Sequence, residues 1–207
     1  MQREDLSDFL VHFIKGETRE EAFRVLSSIV RQSGLLGGDS YVKGSFRCVC
    51  FSEAPIHTFA SFLARPGAHG VKYKPFGVAV RKRWLFEAGG RPVIYQSASE
   101  YYLLPQDIRW RHVRYEPHLE PSIDFTWERE WRIKIDWLAI SPEVAWLVLP
   151  DDSWVDRLPG DNGRDQDPYT SLYSQLTGVP EDAWIAALPQ PWGVIRLAPL
   201  SPNHPRA

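Results

Sequence analysis

The stretch from Phe125 to Ile135 alternates side chains of two kinds with a period of two. One face collects Phe125, Trp127, Arg129, Trp131, Ile133 and Ile135, and the other collects Thr126, Glu128, Glu130, Arg132 and Lys134. Successive side chains of a β-strand point to opposite faces of the sheet, so the pattern predicts a half-buried strand. We expect Trp127 and Trp131 in the core, with Glu128 and Glu130 on the opposite face.

The polar face of this predicted strand carries two carboxylates followed by two cations. Neighbouring members of such a row lie about 6.5 to 7 Å apart along a strand. The row is suited to hold a polar ligand at the edge of a cleft. The alternative, which the spacing alone favours, is a solvated face joined by weak cross-strand ion pairs.

Length and composition favour one folded domain in an aqueous compartment. The 207 residues are 43% hydrophobic and include nine tryptophans, so we expect a single domain over residues 1–200 and a frayed tail over 201–207. A net charge of −2 provides no general attraction to nucleic acid or membrane. The charged N-terminus and the lack of a long apolar run predict a cytoplasmic protein without a signal peptide or membrane span.

Two cysteines, Cys48 and Cys50, occupy alternate positions of a predicted strand. An i,i+2 pair on one face is poorly placed for an unstrained disulfide. No second cysteine pair is present to complete a tetrahedral metal site. We therefore expect two reduced thiols and no bound metal.

Strand and helix patterns are mixed along the chain without strict alternation. Strands are predicted at Phe9–Ile14, Phe46–Phe51, Gly77–Val80, Pro92–Tyr95, Ala145–Leu149, Trp184–Leu188 and Gly193–Leu197. Helices are predicted from the Thr18 capping box to Gln32, from the Ser52 cap to Arg65, at Ser99–Leu104 and at Tyr169–Leu176. This order predicts an α+β domain with mixed or mainly antiparallel sheets and flanking helices.

Polar side chains that interrupt these apolar elements are candidates for chemistry. His12 lies within an apolar strand, where a satisfied core histidine is the alternative to a functional group. Ser52 is first of all a candidate helix cap. A basic-aromatic segment carries Arg109, Arg111 and Arg114, which suit contact with nucleic acid phosphates. The alternative for this segment is a solvated face whose long side chains cover the core.

Several short motifs, in a fixed order, resemble the abortive-infection AbiGi-type proteins of phage defence. They cover Leu10–Phe13, Cys48–Pro55, Tyr73–Val80, Gly90–Tyr95 and Glu128–Arg132, within roughly residues 8–135. Those proteins are distantly similar to the DarT-like ADP-ribosyltransferases. The resemblance implies an ADP-ribosyltransferase-like fold with NAD as the cofactor.

The resemblance also implies roles for individual residues. His12 would contact the nicotinamide ribose, Ser52 would supply the hydroxyl near the second strand, and Tyr73 would stack near the nicotinamide ring. Glu130 would hold a ribose hydroxyl and stabilise the cationic centre formed as nicotinamide leaves. Glu128 resembles the first glutamate of a paired-glutamate motif.

Two classes of function follow from this resemblance. The first is an enzyme that transfers ADP-ribose from NAD to a nucleic acid or protein. The second is a non-catalytic abortive-infection component that binds a partner toxin or antitoxin, or nucleic acid. A cleft in which His12 and Glu130 converge favours the enzyme, whereas side chains buried apart favour the binding protein.

Overall fold

The computed structural model describes residues 7–40, 42–56, 73–158 and 192–197, which form an α+β fold. The helices are α1 (Arg19–Gln32) and α2 (Lys82–Glu87). The strands are β1 (Phe9–Lys15), β2 (Gly34–Leu36), β3 (Cys48–Ser52), β4 (Tyr73–Arg81), β5 (Arg91–Pro92), β6 (Ile94–Gln96), β7 (His112–Arg114), β8 (Glu130–Lys134), β9 (Trp137–Ala139), β10 (Ala145–Leu149) and β11 (Gly193–Arg196). Short 3₁₀ turns cover Glu100–Leu103, Gln106–Arg111, Thr126–Glu128 and Asp152–Arg157.

Within the described residues, the main sheet has seven strands in the order β11-β10-β4-β1-β3-β8-β5. The pair β10–β11 is parallel and the other pairs are antiparallel. Two smaller sheets pair β2 with β9 and β6 with β7. The mixed, mainly antiparallel α+β architecture predicted from the sequence is therefore confirmed. In the described ranges, no helix is long and apolar enough to cross a membrane.

Local signals in the sequence set the boundaries of α1. The Thr18 hydroxyl accepts a hydrogen bond from the Glu21 backbone N–H, and the Glu21 carboxylate reaches back to the N–H of Glu17. The helix ends at Ser33, which adopts a left-handed conformation with φ of 53°. Gly34 follows directly and begins β2.

Helix α1 covers one face of the main sheet and encloses the larger part of the core. This core includes Leu10, Phe23, Leu26, Val49, Phe51, Phe76, Val78, Trp131, Ile133 and Leu147. Val11, Phe13, Ala54, Ala79, Val148 and Leu197 form a second cluster. Strands β1, β4 and β10 contribute to both clusters, which is why their sequences read as nearly continuous apolar runs.

The prediction of one strand over Phe125–Ile135 is wrong at its N-terminal half. The strand begins only at Glu130 and is preceded by a 3₁₀ turn, because Arg129 has a φ of 45° and breaks the alternation. As a result Trp127 is 38% exposed, whereas Trp131 is 8% exposed and lies in the main core. The core position predicted for Trp127 is therefore wrong, and that predicted for Trp131 is confirmed.

Two further predicted elements differ from the structure. The single strand expected at Pro92–Tyr95 is divided into β5 and β6, and the intervening Val93 donates its N–H to the Glu130 carbonyl. The helix expected at Ser99–Leu104 is one 3₁₀ turn. Most of the helix expected from Ser52 to Arg65 lies outside the described residues. The elements expected at Tyr169–Leu176 and Trp184–Leu188 and the tail over 201–207 lie outside them as well.

Candidate functional site

The main sheet opens between β1 and β3 and forms a cavity there. These strands share a single register pair, Val11 with Ser52, whereas β1 pairs with β4 along most of its length. Residues of β1 and β3 line a cavity of about 360 Å³. A cavity of this size lies at the low end of small-molecule binding sites, which span about 300 to 1000 Å³.

His12 spans the opening between the two strands. Its Nδ1 lies 2.8 Å from the backbone carbonyl oxygen of Cys50, which can only accept, so Nδ1 carries the proton and donates a hydrogen bond to that oxygen. Burial lowers the pKa of His12, the positive charge of Lys15 adds to this effect, and the bond to Cys50 opposes it. The imidazole is therefore neutral at physiological pH, with Nε2 as an acceptor.

Glu130 reaches the same cavity from a different strand. His12 and Glu130 lie on strands that are not neighbours, because β3 separates β1 from β8 in the sheet. By alternation, Glu130 shares a face with its register partner Ser52, whereas His12 shares a face with the core residues Leu10 and Ile14. Both residues nevertheless line one cavity.

Arg132 holds the carboxylate of Glu130 in a bidentate ion pair. Its Nε donates to Oε1 at 2.8 Å and its Nη2 donates to Oε2 at 3.2 Å. The third nitrogen, Nη1, donates to the backbone carbonyls of Trp110 and His112, each at 3.0 Å. Glu130 and Arg132 are 9% and 3% exposed, so the pair is almost fully removed from solvent.

Glu128 lies at the edge of the cavity in the 3₁₀ turn before β8. Burial and the nearby negative charge of Glu130 raise the pKa of Glu128 to about 7, against smaller opposing effects of Lys15 and Arg132. The Glu128 carboxyl can thus gain or lose a proton near neutral pH. This is the range in which a general acid or base operates most effectively.

Ser52 lines the cavity, but its hydroxyl is committed to the backbone. It donates to the Glu128 carbonyl at 2.7 Å and accepts from the Ala54 N–H at 3.2 Å. Both contacts are internal, so Ser52 supports the turn that carries Glu128. The predicted contact of Ser52 with a cofactor stays a prediction.

Tyr73 lines the cavity from the start of β4. Its ring packs edge-on against Phe13, with centroids 6.3 Å apart, and the Lys15 ammonium lies 5.1 Å from the ring centre. Tyr73 thus joins His12, Ser52, Glu128 and Glu130 at one cavity. The structure brings together all five residues that the resemblance assigned to catalysis or NAD binding.

One part of the cavity wall is aliphatic and was not predicted from the sequence. Val25 of α1, Leu36 of β2 and Val42 line it, and Val25 and Leu36 are 43% and 67% exposed. A ligand that covers these side chains would gain from the removal of apolar surface from water. Val25 is an apolar residue outside the buried stripe of α1. An exposed apolar residue on a helix is also common at ordinary surface positions, so this feature alone does not predict a binding site.

Cys48 and Cys50 are free thiols that line the cavity. Burial raises the pKa of Cys48 to about 11, and burial raises the pKa of Cys50 as well. Both side chains are protonated at neutral pH and are weak nucleophiles. Among the described residues, no cluster of three potential metal ligands is present.

The three arginines predicted to contact nucleic acid make contacts within the protein. Arg109 donates to the carbonyls of Leu104 and Tyr102, and Arg111 donates to the carbonyl of Pro92. Arg114 forms an ion pair with Glu116. These contacts favour the alternative of a solvated face whose long side chains cover the core, and nucleic-acid contact through the three arginines stays a prediction.

The comparisons with known proteins do not assign a family to this arrangement. No family model, no curated protein and no solved structure matches the chain.

Proposed function

We propose that the cavity binds the nicotinamide-ribose part of NAD and that the protein transfers ADP-ribose to a nucleic acid or protein. The observation that carries this proposal is that His12, Ser52, Tyr73, Glu128 and Glu130 line one cavity. The sequence resemblance assigned these residues to NAD binding and catalysis, and they come from four separate parts of the chain.

The proposed reaction begins with cleavage of the bond between ribose C1′ and the nicotinamide nitrogen. The bonding electrons leave with nicotinamide, and positive charge develops on the ribose. A fixed carboxylate in a partly dry cleft stabilises such charge, which is the role we give to Glu130. The acceptor then forms a bond to C1′ and loses a proton, and Glu128 takes this proton.

The aliphatic wall gives the proposed ligand a second type of contact. Val25 and Leu36 offer an exposed apolar surface beside the polar group of His12, Glu128 and Glu130. Small-molecule sites commonly combine an apolar lining with a few polar groups that fix orientation. A flat ring attached to a hydroxylated sugar has this combination of surfaces.

Titration of NAD into the protein, with separate measurement of nicotinamide release, tests the proposal. Glu130→Gln should retain the fold and lower the rate of release by about 100- to 1000-fold. Glu143→Gln is a matched control, because Glu143 is exposed and its carboxylate accepts a hydrogen bond from the hydroxyl of Ser141, away from the residues that line the cavity. The proposal fails if NAD neither binds nor is consumed, or if Glu130→Gln and Glu143→Gln release nicotinamide at the same rate.

Acceptor chemistry is tested with the same preparation. Radiolabelled NAD is incubated with single-stranded DNA, RNA or a protein extract, and the label is followed into each polymer. Label that depends on Glu130 identifies the class of acceptor. Nicotinamide release without label in any polymer would limit the activity to NAD hydrolysis.

A second candidate function is a non-catalytic abortive-infection component that binds a partner toxin or antitoxin, or nucleic acid. The observation in its favour is that both carboxylate oxygens of Glu130 accept hydrogen bonds from Arg132. A carboxylate held in this way has less capacity to contact a ligand. NAD binding without nicotinamide release, or stable capture of one partner without NAD, would favour this function.

A further inference from the structure

We propose that Arg132 is a positioning residue that sets the orientation of the Glu130 carboxylate and balances its charge at the cavity. This inference rests on the proposed function of the cavity. It assigns a role to a residue for which the sequence resemblance implied none.

The geometry of Arg132 fits positioning because every guanidinium nitrogen has a fixed partner. Two nitrogens hold the two oxygens of Glu130, and the third holds the carbonyls of Trp110 and His112. A planar guanidinium pairs with a carboxylate through two parallel bonds, which restrict rotation of the carboxylate. Trp110, just before β7, and His112, the first residue of β7, thereby anchor the carboxylate of a residue on β8.

The backbone of Glu130 is fixed by a different contact. Its N–H donates to the Tyr95 hydroxyl at 3.0 Å, and the same hydroxyl donates to the Phe125 carbonyl at 3.2 Å. Main chain and side chain of Glu130 are thus held by separate elements. Catalytic groups need this kind of support, because a displacement of about 1 Å can reduce a rate by about 100-fold.

Charge balance is the second part of the role. Glu130 and Glu128 both face the cavity, and two carboxylates at one partly buried site repel each other. Arg132 and Lys15 supply positive charge to this site. His12 also lines the cavity but is neutral and adds no charge. Loss of Arg132 would leave two acidic groups with Lys15 as the cation that lines the cavity.

A purely structural ion pair makes different predictions from a positioning pair. If Arg132 serves stability alone, variants that still fold should keep the turnover number and the pH profile of the wild type. If Arg132 positions Glu130, a variant that keeps the positive charge but lacks the planar guanidinium group should have a lower turnover number. A variant without the charge should in addition change the pH response of Glu128.

Arg132→Lys and Arg132→Gln separate these effects. Lysine keeps the positive charge but cannot form the bidentate pair. Arg132→Lys should lower kcat by about 10- to 100-fold with a smaller change in KM, and should leave the pH midpoint of turnover near that of the wild type. Arg132→Gln should lower kcat at least as far and move the midpoint upward, because Arg132 favours the ionised form of Glu128. Arg83→Gln is the control, since Arg83 forms an exposed ion pair with Glu87.

A second experiment measures the effect of Arg132 on the titration of Glu128 without requiring enzymatic turnover. Carbon-13 NMR of labelled glutamate side chains follows the titration of Glu128 in the wild type and in each variant, with Glu128→Gln to assign the signal. We expect an upward shift of the midpoint in Arg132→Gln and little shift in Arg132→Lys. If wild-type protein releases no nicotinamide, the proposed function fails, and this titration still decides whether Arg132 balances the charge of the site.

Three results would overturn the inference. The first is an active wild type in which both Arg132 variants keep its kcat. The second is an Arg132→Gln protein in which Glu128 titrates as in the wild type. The third, if Arg132→Gln does not fold, is an Arg132→Lys variant that folds and retains full kcat.

Discussion

The Ser52 hydroxyl donates a 2.7 Å hydrogen bond to the backbone carbonyl of Glu128. The two residues are 76 positions apart in the chain and meet where β3 ends and the turn before β8 passes beside it. The same hydroxyl accepts from the Ala54 N–H. One buried side chain thus joins the end of β3 to the turn that carries a carboxylate of the cavity.

Ser52→Ala should destabilise the protein by about 1 to 2 kcal/mol, because it removes two hydrogen bonds and leaves buried backbone groups without a partner. Urea unfolding measures this change as a lower midpoint with an unchanged slope. Ser99→Ala serves as the control, since Ser99 is exposed and its hydroxyl forms a hydrogen bond with that of Ser97 at the surface. Equal stability of the two variants would contradict the buried role of Ser52.

Glu128 should make stability fall as the pH rises from about 4.5 to about 7. Its ordinary pKa is 4.5, and burial beside Glu130 raises it to about 7 in the folded protein. Between these values the folded protein keeps a proton that the unfolded chain has released, so rising pH favours unfolding. Above about pH 7 this contribution is constant.

Glu128→Gln should remove this pH dependence and become progressively more stable than the wild type as the pH rises through the same window. Unfolding in urea at pH 5, 6, 7 and 8 measures the difference between the two proteins. Glu143→Gln, at an exposed position, should give a difference that changes little with pH. A constant difference for Glu128→Gln would show that its carboxyl ionises as in an unfolded chain.

His12 should make stability fall as the pH decreases below about 6.5, which is the opposite of the dependence expected for Glu128. Because burial lowers its pKa in the folded protein, the unfolded chain binds a proton below about pH 6.5 that the folded protein does not. The stability contributed by neutral His12 is therefore present above that pH and is lost as the pH falls below it.

His12→Asn and His12→Leu test this assignment as a pair. Asparagine has a side-chain N–H close to the position of Nδ1 and can still donate to the Cys50 carbonyl, whereas leucine cannot. We expect His12→Leu to be less stable than His12→Asn by about 1 to 3 kcal/mol at pH 7.5. Neither variant should show the loss of stability below about pH 6.5 that His12 causes in the wild type. Equal stabilities of the two variants would argue against the bond to Cys50.

The elements with strong local signals were predicted well from the sequence. The Thr18 capping box sets the start of α1, and the apolar run of Ala145–Leu149 is the full extent of β10. The start of β8 was not predictable from alternation. It is set by the left-handed conformation of Arg129 and by the five-residue length of β3, the strand that pairs with β8. Tertiary pairing overrides local pattern in such cases.

In the candidate site, too, single residues were predictable from the sequence whereas their tertiary arrangement was not. His12 and Glu130 were named from short motifs, but the cavity that both reach arises from the separation of β1 and β3, which no single segment encodes. Arg132 stood in the predicted polar row as one of two cations. Nothing in the alternation distinguished a buried bidentate partner of Glu130 from an exposed surface charge such as Lys134.

Trp131→Ala should cost about 3 to 5 kcal/mol of folding free energy, the range found for large aromatic side chains removed from a core. Trp131 is 8% exposed, packs in the cluster beneath α1, and donates its indole N–H to Glu53 at 2.7 Å. Trp127→Ala is the matched control four residues earlier, because Trp127 is 38% exposed and lies before the strand. Its loss should be less than half that of Trp131→Ala in urea unfolding. Comparable losses would contradict the boundary of β8 and would restore the strand predicted over the whole of Phe125–Ile135.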